Sequence, residues 1–270
     1  MPNISIKNEK IYCDLSGAGP LAVLLIHGSG EDHTLWDGQR PALESHFAVA
    51  ALDLNGHGQS PARAGDGLST YTEDVLAVLA DMNQPAVVMG HSLGGAVALN
   101  VVLQRPERLA AIGLIGSGAR LRVLPALLKL IQDDFEGAVD YLLGLMFHRS
   151  LPEVVQRSRA MMLRNGQQAL LRDFLTCDAF DVMAHLSEIK VPTWVAVAEQ
   201  DQMTPVKYAG YLAAHLSASK LDVIPQAGHK LMLEQPVAFN QALLAFLETL
   251  KPSFSPKLHP HPSPLPSRGN

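Results

Sequence analysis

The residues best suited to chemistry in this chain are Gly90-His91-Ser92-Leu93-Gly94-Gly95. They follow the apolar run Ala86-Val87-Val88-Met89 and precede the helix-forming stretch Ala96–Gln104. That setting fits a sharp strand-to-helix turn, where small neighbours let a strained backbone push a serine hydroxyl into the open. A serine hydroxyl is a weak nucleophile near neutral pH and needs a base, normally a histidine held by a carboxylate. Of the 11 histidines, His229 in Gln226-Ala227-Gly228-His229 stands just after the apolar run Lys220–Ile224, where a loop can reach back over a sheet edge. Asp201 follows the run Thr193–Ala198 in the same way. The order Ser92, Asp201, His229 is the one expected for a nucleophile on such a turn. Glu199 is the rival acid, with Asp178, Asp181 and Asp222 weaker ones. Acyl transfer also needs N–H donors for the oxyanion. Leu93 N–H at the helix start is one; Ser29 N–H in His27-Gly28-Ser29-Gly30 is the second, with Gly30 as its fallback.

Several elements must position these groups. Leu21–Ile26, Ala48–Leu52, Ala86–Met89, Ile112–Ile115, Thr193–Ala198 and Lys220–Ile224 are short apolar runs bounded by Gly, Pro or polar residues, the pattern of central parallel strands covered on both faces. Helical stretches alternate with them at Tyr71–Met82, Gly94–Gln104, Val206–His215 and Pro236–Leu250. The alternation predicts an α/β fold, a mostly parallel central sheet with helices on both faces, preceded by an antiparallel hairpin over Ile4–Leu15. From Ala119 to Lys190 there are only amphipathic pieces, Pro125–Gln132, Glu136–Phe147, Leu151–Leu163 and Gln167–Thr176, which suit a helical lid over the sheet's C-terminal edge. The expected organisation is therefore a core of residues 1–118 and 191–250, a lid of residues 119–190, and a disordered tail of residues 251–270 that holds Pro252, Pro256, Pro260, Pro262, Pro264 and Pro266. His259 and His261 in that tail are discounted as metal ligands.

Composition narrows the partners. The 270 residues are 47% hydrophobic and 17% charged, with a formal net charge of −5, enough apolar material for a large core. No basic stripe is present, so neither nucleic acid nor a membrane surface is expected as a partner. Two cysteines, Cys13 and Cys177, make neither a disulfide framework nor a cysteine-based zinc site. The first residues show no apolar stretch behind a positive start, and no apolar run approaches a membrane span, so a cytoplasmic protein is expected.

Together these motifs resemble the α/β-hydrolase superfamily from about Leu21 to Leu250. His27-Gly28 is similar to its oxyanion turn, Asp53-Leu54-Asn55-Gly56-His57-Gly58-Gln59-Ser60 to its D-x-x-G-x-G-x-S loop, and Gly90–Gly95 to its nucleophile elbow. Asp201 corresponds to its acid, and Gly228-His229 with Leu233-Glu234-Gln235-Pro236 to its histidine segment. Ala198 departs from the pattern, since many relatives carry glycine there. The resemblance implies a cofactor-free and metal-free serine hydrolase acting on carboxylic esters of small, largely apolar substrates, a monomer or homodimer, with the helical insertion as a lid. It argues against dehalogenases and epoxide hydrolases, whose nucleophile is an aspartate, and against peptidases, whose elbow usually carries tryptophan. Asp53 and His57 are expected to be structural. Trp36 can line the pocket or the core. Met146 and Met162, with Met161 and Met183, give the lid adaptable apolar side chains, though methionines at such spacing are more often plain core. The same parts serve lactonases, thioesterases, perhydrolases and C–C bond hydrolases; the last would hold a substrate carboxylate, for which Arg120, Arg122, Arg159 and Arg164 are candidates. A non-enzymatic receptor on this scaffold is the remaining alternative, and it has no need of all three triad residues.

Overall fold

The computed structural model describes residues 3–6, 9–65, 67–82 and 84–250; the proline-rich segment lies outside them. Eight strands form one sheet, β1 (Asn3–Ile6), β2 (Glu9–Ser16), β3 (Ala22–Ile26), β4 (Ala48–Leu52), β5 (Ala86–His91), β6 (Leu109–Ile115), β7 (Thr193–Ala198) and β8 (Ser219–Ile224), in the order β1-β2-β4-β3-β5-β6-β7-β8. β1 and β2 pair antiparallel, as the hairpin pattern predicts, and β2 continues antiparallel onto β4. From β4 to β8 every pairing is parallel.

The apolar runs of the central strands are continuous because each strand feeds two cores. Ala22, Leu24 and Ile26 of β3 pack with Val88, Ile112 and Leu114 on one face; Val23 and Leu25 pack with Val87, Met89 and Ile115 on the other. The period of two inside a run that is apolar throughout is what burial on both faces requires. The first face is covered by α2 (Gly67–Met82), α3 (Leu93–Gln104) and α8 (Val206–His215) through residues such as Val75, Val97 and Leu212. The second is covered by α10 (Pro236–Glu248) through Phe239, Leu243 and Phe246, with Trp194 stacked on Phe246 and tilted against Phe239.

Four α-helices stand between β6 and β7: α4 (Pro125–Asp133), α5 (Phe135–Met146), α6 (Pro152–Asn165) and α7 (Gln167–Ala179). They share their own apolar cluster, including Ile131, Val139, Leu142, Met162, Leu170 and Phe174. The neck of this insertion is closed where Val182 N–H donates to Ala119 O at 2.9 Å and Arg120 bridges to Asp181. Two single-turn helices, α1 (Arg40–Leu43) and α9 (Leu231–Glu234), carry too few residues for a readable period. Among the described residues no helix is long and apolar enough to cross a membrane.

Candidate active site

The loops that leave the C-terminal ends of β3, β5, β6, β7 and β8 converge, and each contributes to one site. After β5 the chain turns at Ser92, which has φ 53° and ψ −114°. This left-handed conformation is costly for a residue with a Cβ, and the surroundings enforce it. Ser92 N–H donates to Ile115 O at 2.8 Å, and Ser92 O accepts from Gly95 N–H at 2.9 Å and from Ser117 Oγ at 2.8 Å. The flanking glycines are required by space alone. A Cβ on Gly90 would lie 2.0 Å from Gly94 O, and one on Gly94 would lie 2.6 Å from both His27 O and Ile26 O.

His229 and Asp201 meet after β8 and β7. His229 Nδ1 lies 2.8 Å from Asp201 Oδ2, with both side chains buried. Asp201 Oδ1 accepts the N–H groups of Met203 and Thr204 at 2.8 Å each, and Oδ2 accepts Thr204 Oγ1 at 2.9 Å. Burial works against its charge, but the His229 ring and the bonds from His229 and Thr204 hold the Asp201 carboxyl below the usual carboxylate range. With Nδ1 committed to Asp201, Nε2 is the nitrogen left for the cavity that His229 and Ser92 both line. The rival acids are engaged elsewhere. Asp222 accepts from Trp194 Nε1 at 2.7 Å, Asp178 from Val123 N–H at 3.1 Å and Asp181 from Met183 N–H at 3.1 Å, while Glu199 pairs with Gln200.

The cavity encloses about 60 Å³. Leu121, Val123, Met146, Phe174, Cys177 and Met203 make it apolar; Ser29, Arg122, Thr204 and Lys230 add polar groups. Met146 is thus one of the side chains that line this cavity. Two expectations need correction. Trp36 is fully buried with Leu21, Val23, Leu43 and Phe47 in the core on one face of the sheet, because the turn carrying it folds under β3 and β4, and it does not line the cavity. Met162 packs with Leu170 against Gly30, one layer behind the cavity wall. A larger groove of about 480 Å³ runs beside α7 at Gly65, Leu68, Leu171 and Leu175, and holds none of Ser92, Asp201 or His229.

Beneath the site lie charged groups that sequence reasoning missed. Lys230, almost wholly buried, forms an ion pair with Glu31, which also accepts Gly28 N–H at 2.9 Å. His91 reaches both loops, with Nδ1 3.1 Å from Glu31 and Nε2 3.0 Å from His229 O. Burial and the neighbouring Lys230 ammonium bring His91 down to about 4. Burial opposes ionisation of Glu31, but Lys230 and His91 hold it well below the carboxylate range. Gly30 N–H donates to Asp173 at 2.8 Å, so the fallback donor is already engaged. The clue to Glu31 and Lys230 was adjacency to His27-Gly28 and His229; for Asp173 on a distant helix there was none. Asp32, His33 and Asp53 bring ligand-type atoms within 4.8 Å of one another. Each is occupied by protein donors or acceptors: His33 N–H and Nδ1 on Asp53 Oδ1, Gln59 N–H on Asp53 Oδ2, and Arg164 on Asp32. That donor set is a hydrogen-bonded knot and does not fit an open metal site.

A family model described as "Alpha/beta hydrolase family" matches residues 23–242. The chain is 30% identical over 241 residues to a pimeloyl-[acyl-carrier protein] methyl ester esterase of Neisseria meningitidis, covering 84% of this chain and 93% of that protein. Among solved structures, a thermophilic esterase superposes with a TM-score of 0.84 at 36% identity, covering 92% of this chain and 97% of the other. Est816, described as an N-acyl homoserine lactone degrading enzyme, superposes at 0.83 with 29% identity, covering 91% and 100%.

Proposed function

Since the chain belongs to the alpha/beta hydrolase family, we propose that it is a serine hydrolase cleaving carboxylic esters of small, largely apolar substrates through an acyl-enzyme. The observation that carries this reading is Ser92, held at φ 53° in the cavity that His229 lines, with His229 anchored on Asp201. Ser92 Oγ attacks the ester carbonyl carbon as its proton passes to His229 Nε2. Asp201 stays ionised and stabilises the imidazolium. Leu93 N–H and Ser29 N–H donate to the developing oxyanion; the N–H groups on either side of Ser29 are taken by Glu31 and Asp173, and Ser29 N–H has no partner among the described residues. The tetrahedral carbon then loses the alkoxide, which takes the proton back from His229 and leaves as alcohol. Water attacks the acyl-Ser92, giving its proton to His229; the Ser92 Oγ–carbon bond breaks, Oγ recovers the proton, and the acid departs.

The insertion of residues 119–190 serves as a lid, since Leu121, Met146, Phe174 and Cys177 all reach the cavity from it. A cavity of only about 60 Å³ favours a short acyl group. The names of the N. meningitidis relative and of Est816 support a methyl ester and a lactone respectively, the latter being the same bond closed in a ring. The test is fluorophosphonate labelling read by intact mass, beside a p-nitrophenyl ester series of increasing chain length. One label on Ser92 with fastest turnover of the shortest acyl chains is expected. Ester turnover that survives Ser92→Ala overturns the reading.

A further inference from the structure

The turn after β3 is gripped by groups from outside its own loop. Gly30 N–H donates to Asp173 Oδ2 at 2.8 Å, and Asp173 belongs to α7 of the insertion. The carbonyls are gripped too. Asn165, at the end of α6, donates through Nδ2 to Gly30 O at 3.0 Å and Glu31 O at 2.9 Å, and accepts Gly58 N–H through Oδ1 at 2.9 Å. Gly30 itself adopts φ +70°. Glycine reaches that conformation freely but leaves it as freely, so the residue permits the turn without fixing it. Asp173 can fix it because it is itself fully buried and fastened: His57 Nε2 donates to it at 2.9 Å and Tyr71 OH at 2.5 Å.

We propose that Asp173 and Asn165 are positioning residues through which the helical insertion sets the Ser29 N–H for the oxyanion, so that this donor is in place only while α6 and α7 are seated. The inference rests on the proposed hydrolase reading and deepens it: the insertion completes the catalytic turn as well as walling the pocket. A preorganised donor acts on charge that develops in the transition state. Loosening it therefore lowers kcat and leaves ground-state binding alone.

The test compares Asp173→Leu, Asp173→Asn and Asn165→Ala by steady-state kinetics and by two inhibitors. One is a trifluoromethyl ketone, which forms an oxyanion on Ser92; the other is an ether analogue of the substrate, which has no carbonyl. Asp173→Leu lowers kcat about 100-fold, weakens the trifluoromethyl ketone by the same factor, and leaves KM and ether affinity within about threefold. Asp173→Asn keeps an oxygen for Gly30 N–H and recovers kcat to within about tenfold of wild type. Asn165 is only half-buried, so Asn165→Ala folds even where the leucine variant does not, and shows the same signature at about fivefold. The proposal is overturned if kcat, KM and both inhibitors move together, or if Asn165→Ala matches wild type in all four. Failure to label Ser92 sinks the hydrolase reading; labelled, essential Ser92 with normal Asp173 and Asn165 variants sinks this inference alone.

Discussion

Two buried aspartate–histidine pairs of nearly equal length stand in this molecule, Asp201–His229 at 2.8 Å and Asp173–His57 at 2.9 Å. They differ in what the second ring nitrogen meets. His57 Nδ1 donates to Asn55 O at 3.1 Å while Nε2 donates to Asp173, so both nitrogens carry protons and the ring is a cation. Burial pushes the other way, yet the Asp173 charge and hydrogen bond keep the His57 pKa above its ordinary value. Such a ring has no lone pair for a serine proton. His229 commits one nitrogen to its aspartate and shares a cavity with Ser92. A nearby third ring marks the opposite extreme: His27 donates to Gly28 O at 2.8 Å and accepts Leu54 N–H at 3.1 Å, so it is neutral, as burial and the neighbouring His57 dictate. An aspartate partner thus does not by itself leave a histidine free to take a proton; an uncommitted nitrogen at a cavity does.

The sharpest way to break this contrast is to remove each ring. His229→Ala lowers kcat by about 10⁵-fold or more, with a modest stability loss, because Met203 and Thr204 still satisfy Asp201. His57→Ala does the reverse. It strips the cation from a fully buried carboxylate and destabilises the fold by about 3–5 kcal/mol in urea unfolding, while kcat falls by about tenfold or less. Kinetics and unfolding that rank the two variants alike end the distinction.

Next in size is the exchange of each carboxylate for an amide. Asp201→Asn turns an N–H donor toward His229 Nδ1 and stabilises the wrong tautomer, lowering kcat about 10⁴-fold. The corresponding change at Asp173 costs about tenfold, because an oxygen remains for Gly30 N–H. Equal losses would place the two pairs in one role.

His57 and the two aspartates leave opposite marks on pH dependence. The folded pKa of His57 lies above the ordinary 6.5, so the folded state holds this proton more tightly than the unfolded chain. Its contribution is complete below about pH 6.5 and is lost as pH rises through the folded value. Asp173 and Asp201 are held below 3.8 despite their burial, by His57 and His229 respectively, so their contribution is present above 3.8 and is lost as pH falls through the lower folded values. As pH rises above 6.5 the wild-type Tm should therefore fall more steeply than that of His57→Gln. Parallel curves would show that His57 does not carry the proton its hydrogen bonds require.

Where the sequence was legible follows from how far each signal travels along the chain. The central strands are written in contiguous apolar runs, so β4 and β7 coincide with the expected Ala48–Leu52 and Thr193–Ala198, and β3 differs by one residue. The turn at Ser92 was legible because Gly90 and Gly94 are local necessities of space. The position of Asp201 after one strand and His229 after the next was enough to predict their meeting. What stayed hidden depends on long-range contact. Nothing near Asp173 marks it as a partner of Gly30, 143 residues away, and nothing in the helical period of α6 marks Asn165. Trp36 misled because a large aromatic after the turn at His27-Gly28 serves pocket and core equally well; only the path of the chain under β3 and β4 decides. Ser117 had a hint in Gly116-Ser117-Gly118, since small residues after β6 leave room for His229, whose ring lies 3.3 Å from where a Cβ on Gly116 would stand.

The finest distinction between the pairs rests on single hydroxyl groups. Thr204 Oγ1 donates to Asp201 Oδ2 at 2.9 Å and lies 3.3 Å from His229 Nδ1, so it guides the carboxylate oxygen that meets the His229 ring. Tyr71 OH is the matching donor to Asp173 and itself accepts from Arg172 Nε at 2.8 Å. Thr204→Val keeps the shape and removes one of Asp201's donors; two backbone N–H groups and His229 remain, so the fold loses only about 1 kcal/mol. Misdirection of the imidazole should show as a kcat about fivefold lower with KM unchanged. Tyr71→Phe also costs about 1 kcal/mol or slightly more, since it leaves a buried carboxylate oxygen and the Arg172 Nε–H short of a partner. Here the loss should register in unfolding midpoint before it registers in rate. A Thr204→Val enzyme with wild-type kcat would mean that the backbone N–H groups of Met203 and Thr204 alone set the carboxylate, and that the hydroxyl beside His229 only fills space.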